Sequence, residues 1–207
     1  MAVRRRGRRP GRRPAIALKL RRRLALNLCA LAVLPAGAAV EESLNFRYYA
    51  SPHRPGMTLL AALNAATPIR QDGMRFHGYT AWQTSWQFRW WEEADGRCRI
   101  TANRTRLSAE VTLPRLTTAD PAIRQRFEHY LAALKNHEME HVRIARDAAQ
   151  RIDRGILALP TMPSCRQLEQ TANDLAQRLL REAGNAEREM DQRTGHGAKQ
   201  GASLLDD

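Results

Sequence analysis

One pentapeptide, His137-Glu138-Met139-Glu140-His141, constrains this 207-residue chain more than any other feature. It lies within a stretch, Ile123 to Ile156, whose apolar residues recur at helical spacing. Residues four apart share one face of a helix, so His137 and His141 can direct two imidazole nitrogens at one metal ion. Because Zn²⁺ accepts neutral imidazole as a ligand, the sequence predicts a long helix that carries zinc as its cofactor.

A simpler interpretation of the motif is a solvated helix face on which two histidines have met by chance. The neighbouring residues argue against it, because both histidines fall in line with the apolar stripe of the helix. Buried polar groups cost free energy unless they have partners, and one metal ion would be a partner for both rings. The apolar residues of the stripe are Ile123, Phe127, Tyr130, Leu131, Leu134, Ile144, Ala145, Ala148, Ile152 and Ile156.

The same five residues contain two candidates for a general base. Read as H-E-x-x-H, the motif gives the role to Glu138; read as H-x-x-E-H, it gives the role to Glu140. Glu138 is rotated away from the line joining the two histidines, so it can reach a water molecule instead of the metal. We therefore favour Glu138 and expect Glu140 to face solvent or to support the site.

A catalytic zinc site usually has three protein ligands and one open position. His196 is one candidate for the third ligand, since Gly195 and Gly197 allow the backbone to bend and bring it back to the long helix. Glu169 and Glu182, on a helix predicted after Ser164, are the alternatives. Spacing alone does not choose among these three residues.

The formal charge of +13 is concentrated at the amino end of the chain. Residues 1–23 hold ten Arg and one Lys, and no acidic residue precedes Glu41. Removing these 11 from the 34 basic residues leaves 23, against 21 acidic residues. The rest of the chain is therefore close to neutral, which argues against nucleic acid as a partner.

An apolar run follows the basic residues and ends at Leu34, just before a small-residue site at residues 36–38. This order predicts a signal peptide over residues 1–39 with a basic n-region, and a single domain over residues 40–207. The apolar run is short for a membrane span, so we expect membrane contact only through this segment before its cleavage. The domain is then periplasmic or secreted; an uncleaved anchor or a basic tail are the alternatives.

Two cysteines remain after the predicted signal segment, Cys98 and Cys165. An even number of cysteines in an oxidising compartment predicts a disulfide between them. Two buried free thiols are the alternative.

Strand patterns come first in the chain and long helical patterns come last. Residues 80–91 alternate, with an aromatic face that we expect helices to cover. Asp120-Pro121 predicts the start of the long helix, and Pro160 its end. The fold class is therefore α+β: an N-terminal antiparallel sheet packed by a long C-terminal helical hairpin that carries H-E-x-x-H in a zincin-like arrangement.

Several short segments, in this order, resemble the DUF922 family of secreted bacterial proteins, described as predicted zinc-dependent proteases. The matching residues are Thr80-Ala81-Trp82 with Trp86, Cys98-Arg99-Ile100, Val111-Thr112-Leu113-Pro114, His137-Glu138 with His141, Cys165, and Asp191 with Thr194 and His196-Gly197. The resemblance implies zinc ligation by His137 and His141 and favours His196 as the third ligand. The last family motif begins Tyr-Asp, where this chain has Met190-Asp191.

These observations predict an exported zinc-dependent peptidase that hydrolyses peptide (amide) bonds. Its partners would be peptides or proteins of the cell envelope. Glu138 would act as the general base, and Asp191 would orient a metal ligand through a hydrogen bond. The alternative is a periplasmic zinc-binding protein, or a structural envelope protein, without turnover.

Overall fold

A computed structural model describes residues 40–71 and 73–204 of the chain. The predicted α+β class is confirmed, with an N-terminal sheet and C-terminal helices; that the arrangement is zincin-like stays a prediction. The predicted signal peptide over residues 1–39 lies outside the described residues. The elements are β1 (Glu41–Pro52), α1 (Leu59–Ala66), β2 (Arg70–Gln71), β3 (Met74–Arg75), β4 (Tyr79–Glu92), β5 (Cys98–Thr117), α2 (Pro121–Leu157), α3 (Cys165–Thr194) and a 3₁₀ turn (Ala198–Gln200).

The main sheet has three strands in the order β1-β5-β4. Strands β4 and β5 form an antiparallel hairpin, whereas β1 pairs with β5 in parallel. The prediction of a purely antiparallel sheet is therefore wrong, and the sheet is mixed. The connection from β1 to β5 runs through α1, the small β2–β3 hairpin and β4, and it is long enough to return the chain in the same direction, as parallel pairing requires.

Both long helices begin where their capping residues predict. The side chain of Asp120 accepts hydrogen bonds from the backbone N–H groups of Ala122 and Ile123 at the start of α2. The side chain of Ser164 accepts the N–H of Gln167 at the start of α3. Helix α3 ends at Thr194, and the next residue, Gly195, has a φ of +60° that turns the chain out of the helix.

Helix α2 packs along one face of the sheet, chiefly on β5 and β4, and α3 packs beside α2. The aromatic face of β4, formed by Trp82, Trp86, Phe88 and Trp90, packs under the helices as predicted, and Nε1 of Trp86 donates a 2.9 Å hydrogen bond to Oδ1 of Asn173 on α3. No helix in the described residues is both long and apolar enough to cross a membrane. The fully buried aliphatic side chains of β5 and α2 are Leu107, Val111, Leu113, Val142, Ile152 and Ile156.

The predicted disulfide between Cys98 and Cys165 is confirmed. It joins the start of β5 to the start of α3 across a sequence separation of 67 residues. Closing a loop of that length stabilises the fold by about 4 kcal/mol in the chain-entropy description. The disulfide therefore anchors one end of α3 to the sheet, and the other end of this helix carries Asp191.

A polar network links α1, the start of β4 and α2 through His77. The Nδ1 atom of His77 lies 2.6 Å from the Tyr130 hydroxyl, and its Nε2 atom lies 3.0 Å from Oδ1 of Asn64. A neutral ring with its proton on Nε2 fits both partners, since it donates to Asn64 and accepts from Tyr130. Burial lowers the pKa of His77 from 6.5 to about 4, so the ring stays neutral in the folded protein.

We expect mild acid to destabilise the fold through this buried ring. The pKa of His77 is lower in the folded than in the unfolded chain, so its contribution is complete above pH 6.5 and is lost as the pH falls towards 4. Between pH 7 and pH 5 the loss is about 1–2 kcal/mol. Urea unfolding of the wild type and of His77→Gln at both pH values measures it. Equal pH dependence in the two proteins would contradict this account.

Candidate metal centre

Helices α2 and α3 bring three ligand-type groups to one point. The Nε2 atoms of His137 and His141, on α2, each lie 3.2 Å from Oδ1 of Asp191 on α3. The three potential ligand atoms all lie within 4.8 Å of one another. The ring centroids of the two histidines are 5.1 Å apart, so one turn of helix presents both rings to the same carboxylate.

The other nitrogen of each histidine has a partner that fixes where the proton lies. The Nδ1 atom of His141 lies 3.2 Å from Oε1 of Glu187, and the Nδ1 atom of His137 lies 2.9 Å from Oε1 of Gln200. A carboxylate or amide oxygen only accepts, so both Nδ1 atoms donate. In the neutral rings each Nε2 atom then has a free lone pair, and both lone pairs are directed at Asp191.

Three acceptors that face one another repel unless positive charge, from a proton on a ring or from a metal ion, lies among them. Oδ1 of Asp191 is buried and has no hydrogen-bond partner among the described residues, although two nitrogen atoms lie 3.2 Å away. Such an arrangement is costly unless positive charge compensates it. Two imidazoles and one carboxylate are also a known donor set for transition metals. The residues present therefore fit a metal ion, and this group can hold one.

The raised pKa of His141 also indicates that this group of residues favours a positive charge. Burial opposes protonation of this ring, but the hydrogen bond to Glu187 and the negative charges of Asp191 and Glu138 raise its pKa overall. The site therefore stabilises positive charge at this position. Trp82 on β4 donates a 2.7 Å hydrogen bond from Nε1 to the same oxygen of Glu187, which fixes that carboxylate between the sheet and the ring.

Glu138, next to His137, is held from two sides by the start of β4. The hydroxyl of Thr80 lies 2.7 Å from Oε2 of Glu138 and donates to it. Gly78 provides the space on the other side, because a Cβ atom there would lie 2.5 Å from Oε1 of Glu138. Burial raises the pKa of Glu138 above its usual value, although Thr80 and the two histidines lower it. Glu138 is thus a buried, fixed carboxyl group close to the candidate metal group.

The predicted third ligand, His196, lies just outside this group. Its Nδ1 atom is 3.8 Å from Oδ2 of Asp191, and its side chain is 49% exposed. The glycines on either side do turn the loop as the sequence suggests, with φ values of +60°, +51° and +85° for Gly195, His196 and Gly197. His196 as third ligand stays a prediction. Asp191, for which we expected only a supporting role, lies nearer to the two helix histidines and is a second candidate for the third ligand.

The remaining sequence candidates lie apart from the three ligand atoms. Oε1 of Glu140 accepts a 3.0 Å hydrogen bond from Nε2 of Gln200 and lies 3.1 Å from Arg143. Glu182 pairs with Arg151 at 2.6 Å on the surface. Glu169 lies near the disulfide end of α3, far along this helix from Asp191. Neither Glu182 nor Glu169 belongs to the group that can hold a metal.

Sequence reasoning missed four residues that shape the site: Gly78, Thr80, Glu187 and Gln200. Glu187 precedes Asp191 by four residues on α3, so helical spacing alone was a signal that the two share a face. Thr80 carried a weak signal through the family resemblance. Gly78 and Gln200 act through contacts between distant segments, and nothing in their sequence neighbourhood indicates them.

The candidate centre is not sealed from solvent. The side chains of His141 and Asp191 keep 13% and 24% of their surface exposed. A groove of about 510 Å³ between α2 and α3 includes Glu140 and Met190, which are direct sequence neighbours of His141 and Asp191. None of the three ligand residues lines this groove, so the exposure of the centre rests on His141 and Asp191 themselves.

Comparison with known proteins gives one match. Residues 46–197 match the family described as bacterial protein of unknown function (DUF922), a range that includes His137, Glu138, His141 and Asp191. No curated protein and no solved structure matches the chain. Because the matched range covers most of the sequence, the chain belongs to the DUF922 family.

Proposed function

We propose that this protein is an exported zinc-dependent peptidase that hydrolyses peptide bonds in peptides or proteins of the cell envelope. The observation that carries the proposal is the convergence of two imidazole nitrogens on a buried carboxylate oxygen that has no hydrogen-bond partner in the described part of the chain. A fixed carboxyl group, Glu138, lies beside them. Its export rests on the basic and apolar pattern of residues 1–39.

Three residues would hold the metal: His137 and His141 through Nε2, and Asp191 through Oδ1. Zinc in such a site acts as a Lewis acid that polarises a carbonyl group and lowers the pKa of water. With these three protein ligands the metal would keep one position free for water or substrate, which a hydrolytic site needs. The partial exposure of Asp191 and His141 is consistent with access to that position.

Glu138 supplies the general base. Thr80 occupies its Oε2 atom, so Oε1 is the oxygen left to accept a proton from the attacking water. The same atom then delivers the proton to the leaving amine of the cleaved bond. Glu138 is only 4% exposed, so few solvent molecules compete for that proton.

The same burial favours one alternative, a zinc-binding envelope protein without turnover. His137 is 3% and Glu138 is 4% exposed, so a metal could be held deeply without room for a substrate. In such a protein the ligands would be the same, and Glu138 would serve only to balance the charge of the metal. The two functions therefore differ in turnover, not in metal content.

Turnover separates the two functions directly. Residues 40–207 are purified, loaded with zinc and incubated with unfolded casein, and mass spectrometry detects newly formed peptide termini. We expect cleavage that a chelator stops and added zinc restores. A His137→Ala/His141→Ala variant, purified in parallel, controls for contaminating proteases. One bound zinc per chain without new termini would overturn the peptidase and leave the binding protein.

A further inference from the structure

The segment after α3 folds back onto the metal-site helix. Gly197 approaches so closely that a Cβ atom there would lie 3.0 Å from Cγ of His137. The N–H of Ala202 donates to the carbonyl of Gly197 at 3.0 Å, which closes the turn. Leu204 is then buried in the core together with Leu134. Both ends of this short segment are thus anchored, and Gln200 lies between them.

The amide of Gln200 bridges two residues of the motif on α2. Its Nε2 atom donates to Oε1 of Glu140 at 3.0 Å, and its Oε1 atom lies 2.9 Å from Nδ1 of His137. The carboxylate of Glu140 can only accept, so it determines which way the amide points. The amide oxygen must therefore face His137, and it accepts the Nδ1 proton. This chain of contacts leaves the Nε2 lone pair of His137 directed at Asp191.

We propose that Gln200 and Glu140 are positioning residues that orient His137 and fix its tautomer, so that metal affinity depends on the carboxy-terminal segment. The inference rests on the metal site of the proposed function and not on peptide hydrolysis. It also gives Glu140 a role, since in this arrangement it acts through Gln200 rather than as a base. Partners of this kind typically change metal affinity 10- to 100-fold.

The dissociation constant for Zn²⁺, measured by competition with a chromophoric chelator, tests the inference without any substrate. Gln200→Leu removes both amide contacts, and we expect it to weaken zinc binding roughly 10- to 100-fold. Lys199→Ala, an exposed neighbour in the same turn, is the matched control and should bind as the wild type does. Circular dichroism confirms that each variant is folded.

A reciprocal exchange, Glu140→Gln with Gln200→Glu, sharpens the test. The new amide at position 140 donates to the new carboxylate at position 200, which still accepts the Nδ1 proton of His137. We expect the double variant to recover affinity to within about threefold of the wild type, while Gln200→Leu remains weak. If Gln200→Leu unfolds, the shorter side chain of Gln200→Asn, which cannot span both contacts, takes its place.

The outcomes separate this inference from the proposed function. Wild-type affinity in both Gln200→Leu and Gln200→Asn would overturn the positioning role and leave the metal site intact. An exchanged double variant as weak as Gln200→Leu would also overturn it, because the contact chain would then not be what matters. A wild-type protein that binds no zinc would instead overturn the metal site on which the proposed function rests.

Discussion

Replacing Asp191 by alanine is expected to abolish stoichiometric zinc binding, whereas replacing His196 by alanine is expected to leave one zinc per chain. Oδ1 of Asp191 lies 3.2 Å from the Nε2 atoms of both His137 and His141, while His196 lies 3.8 Å from the other oxygen of Asp191. A structural zinc-finger site with four protein ligands is worth about 10–16 kcal/mol, or roughly 2.5–4 kcal/mol for each ligand. Loss of one ligand then weakens binding by on the order of 10²- to 10³-fold.

Metal content after gel filtration, together with chelator competition, measures both variants. Asp174→Ala, an exposed aspartate elsewhere on α3, controls for changes in helix charge. Asp191→Asn tests the charge separately, since the side chain keeps its size and loses its negative oxygen. The reverse result, zinc retained by Asp191→Ala and lost by His196→Ala, would make the loop imidazole the third ligand, as the sequence predicts.

The parts of the fold that depend on local signals are the ones that sequence predicts well. Asp120-Pro121 and Ser164 define the starts of α2 and α3 through contacts within two or three residues. The direction of β1 relative to its partner is a long-range property, because α1, a small hairpin and β4 lie between β1 and β5 in the chain. A strand pattern is the same whether its partner runs parallel or antiparallel, so β1 could not be oriented from its residues.

The candidate site divides in the same way. His137, Glu138 and His141 lie on one helix, so their spacing alone places them together. Asp191 and His196 are only five residues apart, and the end of α3 between them decides which side chain faces the two rings. Asp191 lies in the last turn of α3. His196 lies in the loop after it, has a φ of +51° and is near the other oxygen of the Asp191 carboxylate. Gln200 depends on how the last ten described residues fold back, which no local pattern encodes.

Three of the residues that carry the family resemblance contact side chains of the candidate metal centre or lie directly beside it. Thr80 holds Glu138, Trp82 holds Glu187 against His141, and Gly197 allows the loop to approach His137. These contacts come from β4, from α3 and from the segment that follows α3. Residues of α2 and α3 alone could bind a metal ion without help from the sheet. Thr80 and Trp82 nevertheless connect the sheet directly to the residues beside the metal group. The sheet therefore fixes the side chains around the candidate metal group, which supports a function that depends on their exact positions as well as on metal binding.

Replacing Glu138 by glutamine is expected to lower the turnover of any cleaved peptide by roughly 10²- to 10⁴-fold while zinc stays bound. The amide keeps the size of the side chain and can still accept from Thr80, but it cannot take a proton from water. Zinc content and steady-state rates at saturating zinc separate the two effects. The affinity for the metal should change little, since none of the three ligand atoms belongs to Glu138.

Glu140→Gln, measured at the same saturating zinc concentration, decides between the two readings of the motif. If Glu140 acts only through Gln200 on His137, excess metal compensates for its loss, and turnover recovers to near the wild-type rate. A rate that collapses in Glu140→Gln but survives in Glu138→Gln would assign the base to Glu140 and the motif to the inverted pattern. Unchanged turnover in both variants would exclude either carboxyl group as the base, and with it this mechanism of peptide hydrolysis.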